Sequence, residues 1–359
     1  MPRCFNFSAG PAAIPLSVLE KAQAELLNWK NTGASIMEVS HRSKEFIALG
    51  ESILTKLRTL LRVPTDYEIL LMHGGGRAQF AAIPLNLLGQ HKTMNYAITG
   101  HWSKDAAEEA KRFGQVHIAT NNYPKCHTIA DAKDWDLAQD AAYLYYCDNE
   151  TVHGLEFSTI PAVKNQLLVA DMSSNMLSRP VDVTRFGLIF ACAQKNLGPT
   201  GATLVLVRKD LIGKTASYIP SILDYKTFAT SESMPNTPVT FSWYIMGLTL
   251  DWIIEQGGLE KIAAINLRKA QKLYSLVDES SLYFNDIDPN YRSRMNVIFR
   301  LPTAELETQF VQQATQQGLA GLKGHRAVGG LRASIYNAVS EEAVDALSEF
   351  MREFERKNG

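Results

Sequence analysis

Short apolar runs alternate along the chain with longer stretches in which apolar positions recur every three or four residues, the pattern of an α/β domain on a mostly parallel sheet. Seven runs read as strands: EILLM (68–72), TMNYAIT (93–99), QVHIAT (115–120), AAYLYYC (141–147), QLLVAD (166–171), GLIFAC (187–192) and ATLVLVR (202–208). The segments 17–28, 79–88 and 103–112 read as helices between them. From about residue 240 the character changes: an apolar helix over 241–255 meets Gly257-Gly258, a natural helix stop. Helix, strand (MNVIFRL), helix, strand (LRASIYN) and an amphipathic helix over 341–357 follow. The expected organisation is a large domain over 15–255 with a seven-stranded, mostly parallel sheet, and a smaller α+β domain made of 1–14 and 256–359, packed together rather than tethered.

A length of 359 residues fits two domains of ordinary size. The formal net charge of -1 excludes a global basic field of the kind that recruits nucleic acid. Cys4, Cys126, Cys147 and Cys192 lie far apart with no C-x-x-C pair, so free thiols are expected rather than a disulfide framework or zinc site. No metal centre is expected. The opening MPRCFNFSAGPAAIP lacks the apolar core of a signal peptide and no run is long enough to span a bilayer, so the expected location is the cytoplasm, away from membranes.

The chemistry gathers at strand ends. His73-Gly74-Gly75-Gly76-Arg77 joins a strand to a helix, where exposed N–H groups make either an anion cradle or a plain tight turn. No G-x-S-x-G elbow accompanies it, which removes an HGGG-type esterase, and the ATP and dinucleotide glycine signatures are absent. Asp171 ends one apolar strand and Lys195 follows another. In a parallel sheet these ends share an edge, so amine and carboxylate can hold opposite ends of pyridoxal phosphate, or be solvated surface charges. Trp102 and Thr151 also leave strands: the indole suits stacking on a pyridine ring or core packing, the hydroxyl a ring oxygen or a turn cap. Cations concentrate in SHRSKEF, HGGGR and GHRAVGGLRAS, which suits a substrate with several negative groups, although isolated arginines are usually just solvated.

Taken jointly, FNFSAGPAAIP, SIMEVSHRSKEF, HGGGRAQFAAIPLNL, GHWSKDAAEEAKRFG, CDNETVHG, ADMSSNMLSRP, AQKNLGPTGATLVLV, MPNTPVTFSWYIMGL and GHRAVGGLRASIYNA resemble, in order and over nearly the whole chain, the phosphoserine aminotransferase family of fold-type-I, class-V pyridoxal-phosphate enzymes. The resemblance implies that Lys195 is the catalytic Schiff-base lysine and that Asp171 partners the pyridine nitrogen. Trp102 would stack on the ring, with Thr151 and Gln194 completing the cofactor site. Gly76 and Arg77 would hold the cofactor phosphate through the glycine turn, joined by Asn236 and Thr237 from the second subunit of a homodimer with composite sites. His41, Arg42, His325 and Arg326 would surround the substrate's phosphate or side-chain carboxylate, Arg332 would clamp its α-carboxylate, and Ser8 would lie near the substrate. The implied reaction exchanges an amino group between glutamate and 3-phosphohydroxypyruvate, giving phosphoserine and 2-oxoglutarate, with the 4-phosphohydroxythreonine pair of pyridoxine biosynthesis as a further substrate. The alternative is another fold-type-I aminotransferase acting on a small anionic amino acid. A cysteine desulfurase is disfavoured, because no cysteine follows Cys192. Cys192 and Thr200 depart from the family pattern, and a thiol so near the lysine raises the expectation of oxidant sensitivity.

Overall fold

The computed structural model describes residues 3–215 and 218–359. All seven apolar runs enter one sheet, as β1 (Tyr67–Met72), β2 (Thr93–Ile98), β3 (Gln115–Asn121), β4 (Leu144–Cys147), β5 (Leu168–Asp171), β6 (Leu188–Cys192) and β7 (Thr203–Arg208), in the order β1-β7-β6-β5-β4-β2-β3. Pairings are parallel except for β7, which is antiparallel to both neighbours, with Thr203 opposite Met72 on one side and Cys192 on the other. The cause lies in the connection: only residues 193–202 separate β6 from β7, too short for the crossover that a parallel pair requires. Six strands therefore deliver their C-terminal ends to the same edge. The run 141–147 forms strand only from Leu144, because the Ala141 N–H is engaged by the Ala138 carbonyl in a turn.

Alternate positions feed opposite faces. Ile69, Leu71, Leu144, Tyr146 and Ala170 enter one core, while Leu70, Met72, Tyr145, Val169 and Phe190 enter another beneath α3 (Gly75–Leu87) and α4 (His101–Ala110), whose numbering follows α1 (Leu16–Glu25) and α2 (Lys44–Leu60). Burial on both faces is what a parallel sheet of such apolar strands demands. A further core joins Phe7 to residues between Ala270 and Phe354. The long helix α6 (Gly258–Glu279), which follows α5 (Thr240–Glu255), places Leu259 and Ile262 in the first core and Ala270 and Leu273 in this one. The strand Phe5–Asn6 pairs in parallel with Leu319–Ala320. Strands β8 (Asn296–Phe299) and β9 (Leu331–Ser334) pair antiparallel, and α8 (Glu341–Asn358), after α7 (Ala304–Gln316), closes the chain. Among the described residues no helix is long and apolar enough to cross a membrane.

Candidate active site

Lys195 leaves β6 in a turn whose closure is local: the N–H groups of Lys195 and Gly198 both donate to the Ala193 carbonyl. Its Nζ donates to Thr151 Oγ1 at 2.6 Å and to Ser174 Oγ at 2.8 Å, and these two hydroxyls also touch each other. Asp171, at the end of β5, accepts from the Ser173 N–H at 2.8 Å. Burial pushes the Asp171 carboxyl upward, opposed by the Ser173 hydrogen bonds and the Lys195 charge. A cation placed against it, such as a protonated ring nitrogen, would restore the carboxylate.

The glycine turn supplies the opposite pole. Gly74 precedes α3 with φ +87°, where L side chains are strained, and a Cβ there would also fall 2.5 Å from Ala78 Cβ. The helix consequently begins at Gly75 rather than near residue 79, and its first N–H groups lack acceptors within the helix. Gly74, Gly75, Gly76, Arg77, Trp102, Thr151, Asp171, Gln194 and Lys195 line a single cavity of about 440 Å³. A helix-opening glycine turn, a buried carboxylate and an amine on one cavity fit a phosphorylated, aldehyde-bearing pyridine. The Arg77 guanidinium turns outward to Asp105 at 2.9 Å and is largely exposed.

The substrate-side residues divide into two groups. Arg332, on β9, is 9% exposed, donates to the Thr151 carbonyl at 3.3 Å and leaves its Nε without a partner. Among the described residues no carboxylate pairs with it, and burial lowers its pKa, so the guanidinium, linked to Lys195 through Thr151, has its charge unmatched. The His325 ring packs at a tilt of 48° against His101, the neighbour of Trp102, with ring centroids 5.3 Å apart, and Arg326 follows in an exposed turn. The segment after Ser8 runs past the lysine, since the Ala12 N–H bonds to the Gln194 carbonyl and a Cβ on Gly10 would lie 3.7 Å from Lys195 Cγ. Ser8, His325, Arg326 and Arg332 border the site without lining this cavity, and His41, Arg42, Asn236 and Thr237 do not line it either. These last four form a second group at the surface, where the Arg42 guanidinium donates to the Met234 carbonyl at 3.3 Å and Asn236 and Thr237 are exposed.

Ser174 and Glu150 escaped the sequence reading. Ser174 stands three residues after Asp171 in DMSSN, and the pair of serines following a strand-end acid was the available signal. Cys192 lines the cavity with its thiol under the glycine turn, where a Cβ on Gly76 would come within 3.4 Å of the sulfur. Burial pushes the thiol pKa up, which disfavours the reactive thiolate, and the sulfur lies beneath Gly76.

His153 sits two residues beyond Thr151, 8% exposed, with Nδ1 accepting from the His101 N–H and Nε2 without a partner. Burial and then the nearby His101, His325 and His127 lower its pKa from 6.5 to about 4. The unfolded chain takes up this proton first, so the stabilisation is complete above pH 6.5 and is lost as pH falls toward 4, by roughly 3 kcal/mol in all. Urea unfolding between pH 4.5 and 7 should show a distinctly shallower pH slope in His153→Gln than in the parent; equal slopes would remove this assignment.

This edge-of-sheet site, with its lysine, opposed acid and phosphate cradle, defines a pyridoxal-phosphate-dependent transferase. Residues 4–347 match the family Aminotransferase class-V. The phosphoserine aminotransferase of Pseudomonas putida is 50% identical over 358 residues, covering 99% of both chains, and that of Coxiella burnetii is 52% identical over the full length of both. The solved phosphoserine aminotransferase of Bacillus circulans subsp. alkalophilus superposes with a TM-score of 0.97 at 45% identity, covering 99% of each chain. The pyridoxal-phosphate-bound enzyme from Trichomonas vaginalis gives 0.95 at 44% identity, covering 98% of this chain and all of that one. The chain belongs to the class-V aminotransferases, within the phosphoserine aminotransferase family. Its cofactor is pyridoxal phosphate.

Proposed function

We propose that the enzyme transfers the amino group of glutamate to 3-phosphohydroxypyruvate, yielding phosphoserine and 2-oxoglutarate, in serine biosynthesis. The observation that carries this reading is Arg332, a buried guanidinium linked to Lys195 through Thr151, which no carboxylate among the described residues neutralises. An α-carboxylate supplies the missing charge with bidentate geometry, and both amino donors carry one. The cofactor, when bound, supplies an aldehyde to carry the amino group and a ring to accept electrons from the substrate.

The residues around it would divide the remaining work. Asp171 holds the proton of the ring nitrogen, and the N–H groups of Gly76 and Arg77 receive the phosphate. Thr151 and Ser174 aim Lys195 Nζ, which would take the proton from the substrate α-carbon and return it on the cofactor side of the amino nitrogen. Trp102 covers the ring face, and Gln194 completes the wall. His325 and Arg326, with His41 and Arg42 of a second copy, form the end that reads phosphate in one half-reaction and the γ-carboxylate of glutamate in the other. Asn236 and Thr237 lie exposed beside Arg42 and away from their own cavity, which favours a homodimer in which each copy completes the other's phosphate site. The domain boundary falls near residue 255, and the enzyme acts in the cytoplasm.

The test is amino-group transfer by the holoenzyme with separate donors. Glutamate and phosphoserine should each aminate the bound cofactor within seconds at millimolar concentration, and alanine, which has no side-chain anion, at least about a hundredfold more slowly, since a missing anionic contact is costly to a site built around it. Turnover of alanine at a rate equal to phosphoserine would overturn the assignment.

A further inference from the structure

One buried carboxylate near the site has no part in the scheme above. Glu150 is 0% exposed and forms no ion pair among the described residues. Its Oε2 accepts from the Trp102 N–H at 2.9 Å; its Oε1 accepts from the Ser103 N–H at 2.8 Å and the Ser103 hydroxyl at 2.6 Å. All three donors belong to the first turn of α4, whose exposed N–H groups and positive dipole end favour an anion. The fit is close: a Cβ on Gly100 would fall 2.5 Å from Glu150 Cδ, although the Gly100 φ of -170° is open to any residue. Glycine stands there to admit the carboxylate.

The other end of Glu150 is equally fixed. Its carbonyl accepts from the His153 and Gly154 N–H groups, closing a turn that holds Thr151, and Thr151 Oγ1 receives Lys195 Nζ at 2.6 Å. One dipeptide therefore ties the backbone of Trp102 to the amine of Lys195. A second tie joins the same turn to α4, from the His101 N–H to His153 Nδ1, but only Glu150 reaches the Trp102 N–H. We propose that Glu150 is a positioning residue, which sets the Trp102 indole at its distance from the lysine and hence against the cofactor ring. This rests on the reading that Trp102 stacks on the cofactor.

The same three donors make the side chain hard to replace. Glutamine keeps the length but offers one acceptor where two oxygens now serve three donors, and its amide NH₂ faces N–H groups. Burial already pushes the Glu150 carboxyl up to about 7, against which these hydrogen bonds act.

The experiment is a double-mutant cycle on the reconstituted holoenzyme, reading the dissociation constant of pyridoxal phosphate and the visible circular dichroism of the bound cofactor. Glu150→Gln should weaken cofactor binding by on the order of tenfold and diminish the dichroic band, as loss of an orienting outer contact typically does. Trp102→Ala should weaken it on its own, and adding Glu150→Gln to Trp102→Ala should cost nothing further. If Trp102→Ala binds as tightly as the parent, the stacking reading falls and the inference with it. If Trp102→Ala weakens binding while Glu150→Gln does not, or keeps its full effect in the Trp102→Ala background, the positioning role alone is overturned. Should Glu150→Gln fail to fold, Gly100→Ala displaces the carboxylate while leaving its charge in place, and the same cycle with Trp102→Ala decides between these outcomes.

Discussion

Lys195→Ala is expected to lose transamination by about 10⁴-fold or more, with melting temperature close to the parent. The size follows from two losses: the amine that moves the proton at the substrate α-carbon, worth roughly 10² to 10⁴ by itself, and the covalent anchor that holds the cofactor aldehyde. Stability is spared because the partners of Nζ satisfy each other. Thr151 and Ser174 already touch, so removing the amine leaves no orphaned hydroxyl. Single-turnover measurement of 2-oxoglutarate formed from glutamate gives the rate, and mass spectrometry of the borohydride-treated protein shows whether cofactor remains attached to the chain. A variant retaining more than about a hundredth of parental turnover would mean that another base carries the proton.

The second large effect is on stability. Lys269, on α6, is 1% exposed and donates to the carbonyls of Ile335, Tyr336 and Val339 at 3.0, 2.9 and 2.8 Å. Burial pushes the ammonium down to about 7, yet each of its three hydrogens has an acceptor. Lys269→Met removes an expensive buried cation but strips the Ile335 and Val339 carbonyls of this donor, at about 1 to 3 kcal/mol each, while the Tyr336 carbonyl keeps the Val339 N–H, and a net loss of about 3 kcal/mol is expected in urea unfolding. The substrate site should register it too. The clamped segment follows Arg332 on the chain and contains Asn337, whose N–H donates to Asn196 Oδ1 beside the lysine. KM for phosphoserine should therefore rise more than kcat falls. Unchanged stability would mean that the segment relaxes to hydrate its carbonyls.

What the sequence disclosed follows a physical division. The seven strands were readable because burial on both faces makes each a continuous apolar run. The direction of β7 was also present, in the shortness of residues 193–202, though apolarity alone carries no direction. Lys195, Asp171 and Arg332 became legible through the resemblance, since spacing alone left them as possible surface charges. Glu150 was hidden by its neighbour: in NETVHG the threonine drew attention, and nothing local says that a glutamate will cap a helix whose sequence lies nearly fifty residues earlier. Lys269 carried a faint signal. Along α6, Ile262, Asn266, Lys269, Ala270 and Leu273 fall on the buried stripe, so two polar residues occupy apolar positions. Such intrusions mark places where a side chain is held by partners that only the folded chain supplies.

The pairing of Phe5–Asn6 with Leu319–Ala320 bears on the order in which the enzyme is made. Synthesis proceeds from the N-terminus, so the first strand emerges more than three hundred residues before its partner exists. The following segment, which runs along Gln194 and Lys195, cannot be fixed until then, although the sheet that carries the lysine is already complete. Closing so long a loop is costly in entropy and slow relative to the local hairpins. A ribosome-bound chain would thus hold a finished cofactor floor long before it had a substrate pocket, and catalytic competence would arrive as one of the last events of folding.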